Sequence, residues 1–394
     1  MKIALVTETF PPEVNGVAMT FGLIAHGLVR LGHQITVCRP AREDLGNSAQ
    51  CSGYAEELFP GLPIPGYSLL RLGLPARRRL LRAWRKVRPD LVHVVTEGPL
   101  GASAVSAARE LEIPVTSSFH TNFHAYTGHY GLGVLRHLAL AWLRRVHNRT
   151  LRTFVPTTQL CSELSAAGFN NVAVLSRGVD LNHFSPSRRS DSLRASWGAG
   201  PDDVVVLHVG RMASEKNYPL LLRAFRAMRT ANPRVRCVLA GEGPLRAQLE
   251  RDHPEHVFAG FFSRGEIGRY YASADIYVHA SLTETFGNVL TEAMASGLAV
   301  AGFDYAAARQ FIKNKINGLT VGMNDEEALV TAALRLATDR GLRDELRSRA
   351  RTALLDQSWE KVIERFATDL SSVVRNHPRP SQPSVDLATC GSVR

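Results

Sequence analysis

The feature that most constrains this chain is a repeated alternation of short, continuous apolar runs with longer stretches of helical periodicity. In the first half the runs are Ile3–Thr7, Ile35–Cys38, Leu91–Val95, Val115–Phe119, Phe154–Pro156 and Val172–Leu175. In the second half they are Val204–Val209, Val235–Ala240, Val257–Ala259, Ile276–His279 and Leu298–Ala301. Runs that lack polar alternation belong to strands buried on both faces, and the helices between them are the crossovers that parallel strands require. Single cores rarely grow past about 250–300 residues, and this chain has 394. The expected fold is therefore α/β, with two doubly wound, Rossmann-like domains. Their boundary falls in the polar stretch Phe184–Pro201. The expected division is a first domain over 1–184 and a second over 185–357. A C-terminal helix over 358–375 returns to the first domain, and a Pro- and Ser-rich tail over 376–394 is expected to be disordered.

Several classes are set aside at once. No apolar run approaches the roughly 18–20 residues of a membrane span, and Leu138–Leu143 is among the longest. Met1–Thr7 is too short an apolar stretch for a secretory signal and runs straight into Glu8. Five cysteines (Cys38, Cys51, Cys161, Cys237, Cys390) are scattered and never form a CxxC. That pattern argues against a disulfide framework or structural zinc and fits a reducing cytosol.

The net charge is +11, but it is shared unevenly: 21 Lys/Arg against 12 Asp/Glu up to residue 190, and 26 against 24 thereafter. One face of the first half is thus expected to meet something anionic, and an acidic lipid layer serves as well as a phosphate backbone. Charge alone favours nucleic acid, and no recognised nucleic-acid motif supports it. Two basic segments carry the excess. Arg77–Arg88 has an apolar stripe at Leu80, Leu81, Trp84 and Val87. Leu135–Arg152 sets Leu138, Trp142 and Leu143 among Arg136, Arg144, Arg145, Arg149 and Arg152. Such stripes either pack on a sheet or lie on an anionic membrane, and the sequence leaves both open.

In open parallel sheets, ligands bind outside the carboxyl ends of the strands, so the loops that follow them are the places to look. After Ile3–Thr7 comes Pro11-Pro12-Glu13-Val14-Asn15-Gly16 and then a helical pattern; Gly16 lets backbone amides approach a phosphate. After Val204–Val209, Arg211 and Lys216 stand five apart, a fork and a point charge suited to a diphosphate. After Val235–Ala240, Gly241-Glu242-Gly243-Pro244 is a sharp turn open to a flat group such as a base. After Ile276–His279, Thr285 is the expected N-cap of a helix whose start at Phe286–Asn288, Gly287 included, presents amides to an anion. Glu284 in that loop and Glu292 about two turns into the helix are candidate acceptors for sugar hydroxyls. After Val115–Phe119, His120 opens the segment His120-Thr121-Asn122-Phe123-His124. Taken singly, each loop also fits a plain structural reading: a tight turn at Gly16 and at Gly241–Pro244, and a solvated loop with a Glu215–Lys216 neighbour pair at Arg211–Lys216.

Together they resemble the retaining nucleotide-sugar glycosyltransferases of the GT4 family, which have the GT-B fold of two Rossmann-like domains facing across a cleft. The resemblance runs from Met1 to about Arg375. It rests on the Glu-x7-Glu pattern of Glu284 and Glu292, on Val209-Gly210-Arg211-x4-Lys216, and on Gly241-Glu242-Gly243-Pro244 between them. His120–Phe123 and Ser176-Arg177-Gly178-Val179-Asp180 look most like bacterial enzymes that glycosylate lipids, such as mannosyl- and sulfoquinovosyl-transferases. By that resemblance Arg211 and Lys216 hold the donor diphosphate and the Thr285–Asn288 backbone binds its distal phosphate. Glu284 would bind the hexose, Glu292 the ribose, Gly16 the diphosphate from the opposite domain, and His120 would sit beside the reacting sugar. The implied reaction is hexose transfer from a nucleotide sugar to a lipid or glycan hydroxyl by front-face substitution. GDP-mannose is the favoured donor, with UDP-glucose or another UDP-hexose as the alternative. A non-catalytic nucleotide-sugar-binding protein is a further alternative. No metal or cofactor is expected, because no Asp-x-Asp or ligand-spaced His/Cys cluster is seen. The family's Gly-Gly pair and Glu after Leu298–Ala301 are replaced by Asp304–Gln310, to which no role is carried over.

Overall fold

The computed structural model describes residues 1–13, 15–41, 53–64, 67–120, 133–260 and 265–377. Strands β1 Lys2–Val6, β2 Gln34–Pro40 and β3 Ala55–Phe59 join β6 Leu91–Val94, β7 Val115–Ser118, β8 Arg152–Val155 and β9 Val172–Val174 in one parallel sheet. Its order is β3-β2-β1-β6-β7-β8-β9. A small antiparallel hairpin, β4 Gly61–Ile64 and β5 Tyr67–Gly73, stands apart. The second sheet, also parallel, runs β12-β11-β10-β13-β14-β15. Its strands are β10 Val204–Val209, β11 Val235–Ala240, β12 Val257–Gly260, β13 Ile276–His279, β14 Ala299–Phe303 and β15 Leu319–Val321. In each sheet the chain starts centrally, winds to one edge and returns to build the other. The order reverses between β1 and β6 and between β10 and β13, and these crevices are where loops can hold ligands.

Why apolar runs rather than alternating ones make these strands is visible in the packing. Ile3 and Leu5 face Phe21, Ile24 and Leu28 on one side of the first sheet, while Ala4 and Val6 face Leu80, Trp84 and Ala104 on the other. In the second sheet Val204 and Val206 pack on Leu221, Phe225 and Met228, while Val205 and Leu207 pack on Phe286, Leu290 and Met294. Each large side chain buried this way contributes about 1.5–3 kcal/mol. Of the strands absent from the sequence reading, β4 and β5 form the separate hairpin and β3 and β15 are edge strands. β3 carries Glu56 and Glu57 on an outer strand, and β15 is three residues long.

The Trp359–Arg375 helix packs Ile363, Phe366 and Leu370 onto Phe21, Ile24 and Leu28 of the first lobe. Gly27 permits that approach, since a Cβ there would lie 2.3 Å from Ile363 Cδ1. The two passages of chain between the lobes run side by side: Val179 bridges to Ser358, and its amide donates to the Gln357 carbonyl at 2.8 Å.

One of the two basic helices is corrected by the packing. In the Arg77–Lys86 helix, Leu80, Leu81 and Trp84 are buried against the first sheet, so its apolar stripe is unavailable to a membrane. In the Gly133–His147 helix, Leu143 and Val146 face inward, but Leu138 and Trp142 are 61% and 49% exposed. Among the described residues no helix is long and apolar enough to cross a membrane. Of the expected tail, residues 378–394 lie outside the described part, as do Thr121–His124 of the histidine-rich loop.

Candidate active site

Three loops leave the reversal points of the two sheets, and each is fixed by its own sequence. After β1, Asn15 caps the Gly16–Arg30 helix, its Oδ1 accepting from the Val17 and Ala18 amides at 3.1 and 2.9 Å. The amides expected to face a phosphate behind Gly16 are thus already engaged by a side chain. After β10, the Arg211–Lys216 loop runs to Asn217, which adopts φ 53° and starts the Tyr218–Ala231 helix. After β13, the Tyr305 hydroxyl donates to the Glu284 carbonyl at 2.6 Å, and the Ala307 amide donates to the Phe286 carbonyl at 3.0 Å. The Asp304–Gln310 loop, given no role from sequence, therefore pins the loop that carries Glu284.

The Thr285 cap is not formed. The helix is Asn288–Ala295 with Gly287 at its N-cap, φ 92°, and no side chain caps it. Gly287 is required there because a left-handed residue turns the loop into the helix. The correction shortens the distance to Glu292, which lies about one turn in rather than two. An uncapped helix start leaves amides that favour an anion. The Tyr271 hydroxyl donates to Glu292 at 3.0 Å.

At the centre, Lys216 Nζ sits 2.5 Å from Glu284 Oε1, with both side chains largely buried. The expected alternative of a Glu215–Lys216 neighbour pair does not occur. His279 Nε2 lies 4.0 Å from the same carboxylate oxygen. Burial alone would push the Glu284 carboxyl up, but His279 and Lys216 outweigh it and hold it below the usual value. Burial pushes the His279 ring down to about 4, with Glu284 pulling the other way. Beneath the pair, His208, Tyr277 and His279 form a column of nearly parallel rings, with successive centroids 6.1 and 6.0 Å apart.

Arg211 is exposed on the same loop and makes no side-chain hydrogen bond or ion pair among the described residues. It lines a cleft of about 550 Å³ together with Gly241, Glu242, Gly243, Gly260 and Ile267. The two glycines serve a backbone approach. A Cβ on Gly241 would lie 2.0 Å from the Gly210 carbonyl oxygen, and one on Gly243 2.4 Å from that of Met212.

On the opposite wall, His120 meets Phe21 edge-on at 5.3 Å, and both ring nitrogens are shielded without a partner. Burial first, and then Arg177, push its pKa well down, so the ring is neutral. Arg177, which the sequence presents only as part of Ser176–Asp180, stands close by. A Cβ on Gly16 would lie 3.2 Å from its Nη1, and its guanidinium stands 5.8 Å from the Phe286 ring centroid. The rule that ligands gather beyond strand ends would have found it, because it lies three residues past β9. His279 and Tyr305 carried no such signal, since they act through the loop geometry of Glu284.

The absence of a ligand-spaced cluster needs one correction. His253, Glu255 and His256 bring ligand-capable atoms within 4.8 Å of one another. They precede β12, at the end of the sheet away from the cleft, and Arg229 lies among them as a competing cation.

The comparisons with known proteins place the chain in a family. Residues 14–183 match the model described as Glycosyltransferase Family 4, and residues 189–353 match Glycosyl transferases group 1. A GDP-mannose-dependent alpha-mannosyltransferase of Mycobacterium tuberculosis is 33% identical over 92% of this chain and 94% of its own. The sulfoquinovosyl transferase of Arabidopsis thaliana is 30% identical over 78% of this chain and 61% of its own. Among solved structures, HepE of Anabaena in complex with UDP superposes with a TM-score of 0.76 at 20% identity, covering 94% of this chain and all of that one. The chain belongs to the family 4 glycosyltransferases, with the two-lobed GT-B fold. It is a hexosyltransferase that uses a nucleotide-sugar donor.

Proposed function

We propose that the chain transfers mannose from GDP-mannose, with the anomeric configuration retained, to a hydroxyl of a membrane lipid. The observation that carries this reading is that Arg211, without a partner among the described residues, the Lys216–Glu284 pair and the uncapped Asn288–Ala295 helix all follow the carboxyl ends of the paired strands β10 and β13. In the reaction the bond from the sugar's anomeric carbon to the donor phosphate breaks, and a bond to the acceptor oxygen forms. The acceptor proton passes to the departing diphosphate. Hydrolases that retain configuration use two carboxylates about 5–5.5 Å apart; here Glu284 is tied to Lys216, so the load falls on donors that stabilise the leaving group. Arg211 and Lys216 hold the diphosphate, Glu284 orients hexose hydroxyls, Glu292 meets the ribose, and His120, kept neutral, lies beside the sugar. These cations supply the neutralisation that a divalent ion would otherwise give, so turnover is expected to survive EDTA.

The mannosyltransferase similarity at 33% identity favours GDP-mannose. The test is purified protein with a panel of GDP- and UDP-sugars and a total membrane-lipid extract, with products read by mass. A mannolipid is the expected product, and a UDP-hexose product in its place refutes the donor assignment.

The acceptor's membrane would be met by the Gly133–His147 helix. Exposed Leu138 and Trp142 lie one turn apart, and Arg145 and Arg149 continue the same face beside Arg109. Apolar anchors flanked by arginines bind anionic lipid surfaces. Trp142→Ala is expected to release the protein from anionic vesicles that sediment the wild type. Equal sedimentation of both would refute this face.

A further inference from the structure

A buried guanidinium that lacks an anion is costly to a fold. Ionised groups taken out of water are retained when something neutralises them. Arg177 is such a group. Its residue is 9% exposed, its Nε is buried without a hydrogen-bond partner, and no carboxylate pairs with it among the described residues. By contrast, buried Arg194 donates to Asp275 and to three backbone carbonyls. The low-dielectric surroundings of Arg177 push its pKa down to about 10, with Glu284 acting only at a distance to raise it. It is still charged at neutral pH.

Its position says what the missing anion is. Arg177 lies just after β9, in the first of the two passages between the lobes. The helix start at Gly16 flanks it on one side, with 3.2 Å between a Gly16 Cβ position and Nη1. Phe286, which opens toward the uncapped helix of the second lobe, flanks it on the other at 5.8 Å. His120 is close enough that the Arg177 charge helps to keep its ring neutral. Gly16, His120 and the Phe286 ring thus meet at this one cation.

We infer that Arg177 is a further donor-contacting residue, a third cation that grips the distal phosphate of the nucleoside diphosphate from the connection between the lobes. Arg211 and Lys216 approach from the second lobe alone. Arg177 touches both walls, so binding a diphosphate would satisfy it and tie the lobes together across the cleft. Charge that grows on the departing phosphate strengthens this contact. The inference rests on the diphosphate-site reading above.

The test uses Arg177→Met, which keeps an unbranched stem against Phe286, and Arg177→Lys, which keeps the charge. Titration calorimetry with GDP and with guanosine, and with UDP and uridine, reads the phosphate contribution separately from the base. For whichever diphosphate the wild type binds, Arg177→Met is expected to weaken its binding about tenfold or more, the scale of a lost charge-assisted contact. Nucleoside binding should stay unchanged and the Tm of the unliganded protein should stay level or rise, while Arg177→Lys retains part of the diphosphate affinity. A purely structural arginine would behave differently: a fall in Tm with diphosphate affinity intact overturns the inference. Equal diphosphate affinity in wild type and Arg177→Met overturns it as well, yet leaves the diphosphate site standing. If the wild type binds neither GDP nor UDP, the underlying site reading fails, and this inference with it.

Discussion

The two ends of strand β13 carry buried carboxylates that have been treated in opposite ways. Asp275, just before the strand, is met by Arg189 at 3.1 Å, Arg194 at 2.9 Å and Arg347 at 3.2 Å, and accepts the Val205 amide at 2.9 Å. Glu284, just past the other end, has one ammonium partner. Two further cations, Arg211 and Arg177, have no carboxylate partner among the described residues. At the amino end of the strand the Asp275 charge is spent on holding helices and strands together. At the carboxyl end the cations outnumber their internal partners, which is what a binding site for a dianion requires. The contrast separates charge used for architecture from charge held in reserve.

The sharpest way to test that contrast is to remove each kind in turn. Asp275→Ala leaves Arg194 buried without its carboxylate and is expected to destabilise by about 3–5 kcal/mol, read by urea or thermal unfolding. Retention of wild-type stability would erase the distinction. Arg211→Ala should do the reverse, lowering turnover by about 10²–10³ with Tm unchanged, because nothing inside the protein depends on it. Lys216→Ala is expected to lose turnover similarly and some stability too, since Glu284 then loses its cation. Turnover close to wild type in both variants would sink the diphosphate assignment.

Acid titration offers a subtler comparison. Burial would raise the Asp275 pKa, but the arginines and the Val205 amide outweigh it and leave it lowered. A carboxylate depressed in the folded state contributes stability that is complete above its unfolded value of about 3.9 and is lost as pH falls through the lower folded value. Asp275→Asn is therefore expected to flatten the acid limb of the stability curve below about pH 4. An unaltered limb would show that the cluster does not shift the titration. The smallest expected effect belongs to Tyr305→Phe, which removes the hydroxyl that holds the Glu284 carbonyl. About 1 kcal/mol of stability and a few-fold of turnover should go with it; unchanged kinetics would mean the loop is pinned by the Ala307 contact alone.

Much of this was legible in the sequence, for identifiable reasons. Continuous apolar runs such as Val204–Val209 report burial on both faces, so both sheets could be read directly. β3 and β15 could not, because Glu56-Glu57 in the one and Thr320 in the other break the apolar run. Arg211, Lys216, Glu284 and Glu292 were visible because they follow central strands. The Thr285 cap failed because residue type suggested it, whereas the chain needed a left-handed turn at Gly287. The Trp84 stripe was ambiguous because sequence gives the periodicity of a face and not what covers it. Arg177 follows β9 and was within reach of the same rule, but only the fold reveals that Gly16 and Phe286, from different lobes, close on it.

The central claim is that the cations at the carboxyl end of β13 wait for a diphosphate. The most direct measurement is a crystal structure of the protein soaked with the nucleoside diphosphate it binds. The account predicts phosphate oxygens within hydrogen-bonding reach of Arg211 and Lys216, the Lys216–Glu284 contact loosened, and the Asp275 cluster unmoved. A diphosphate seated elsewhere, with Lys216 still locked to Glu284, would contradict it.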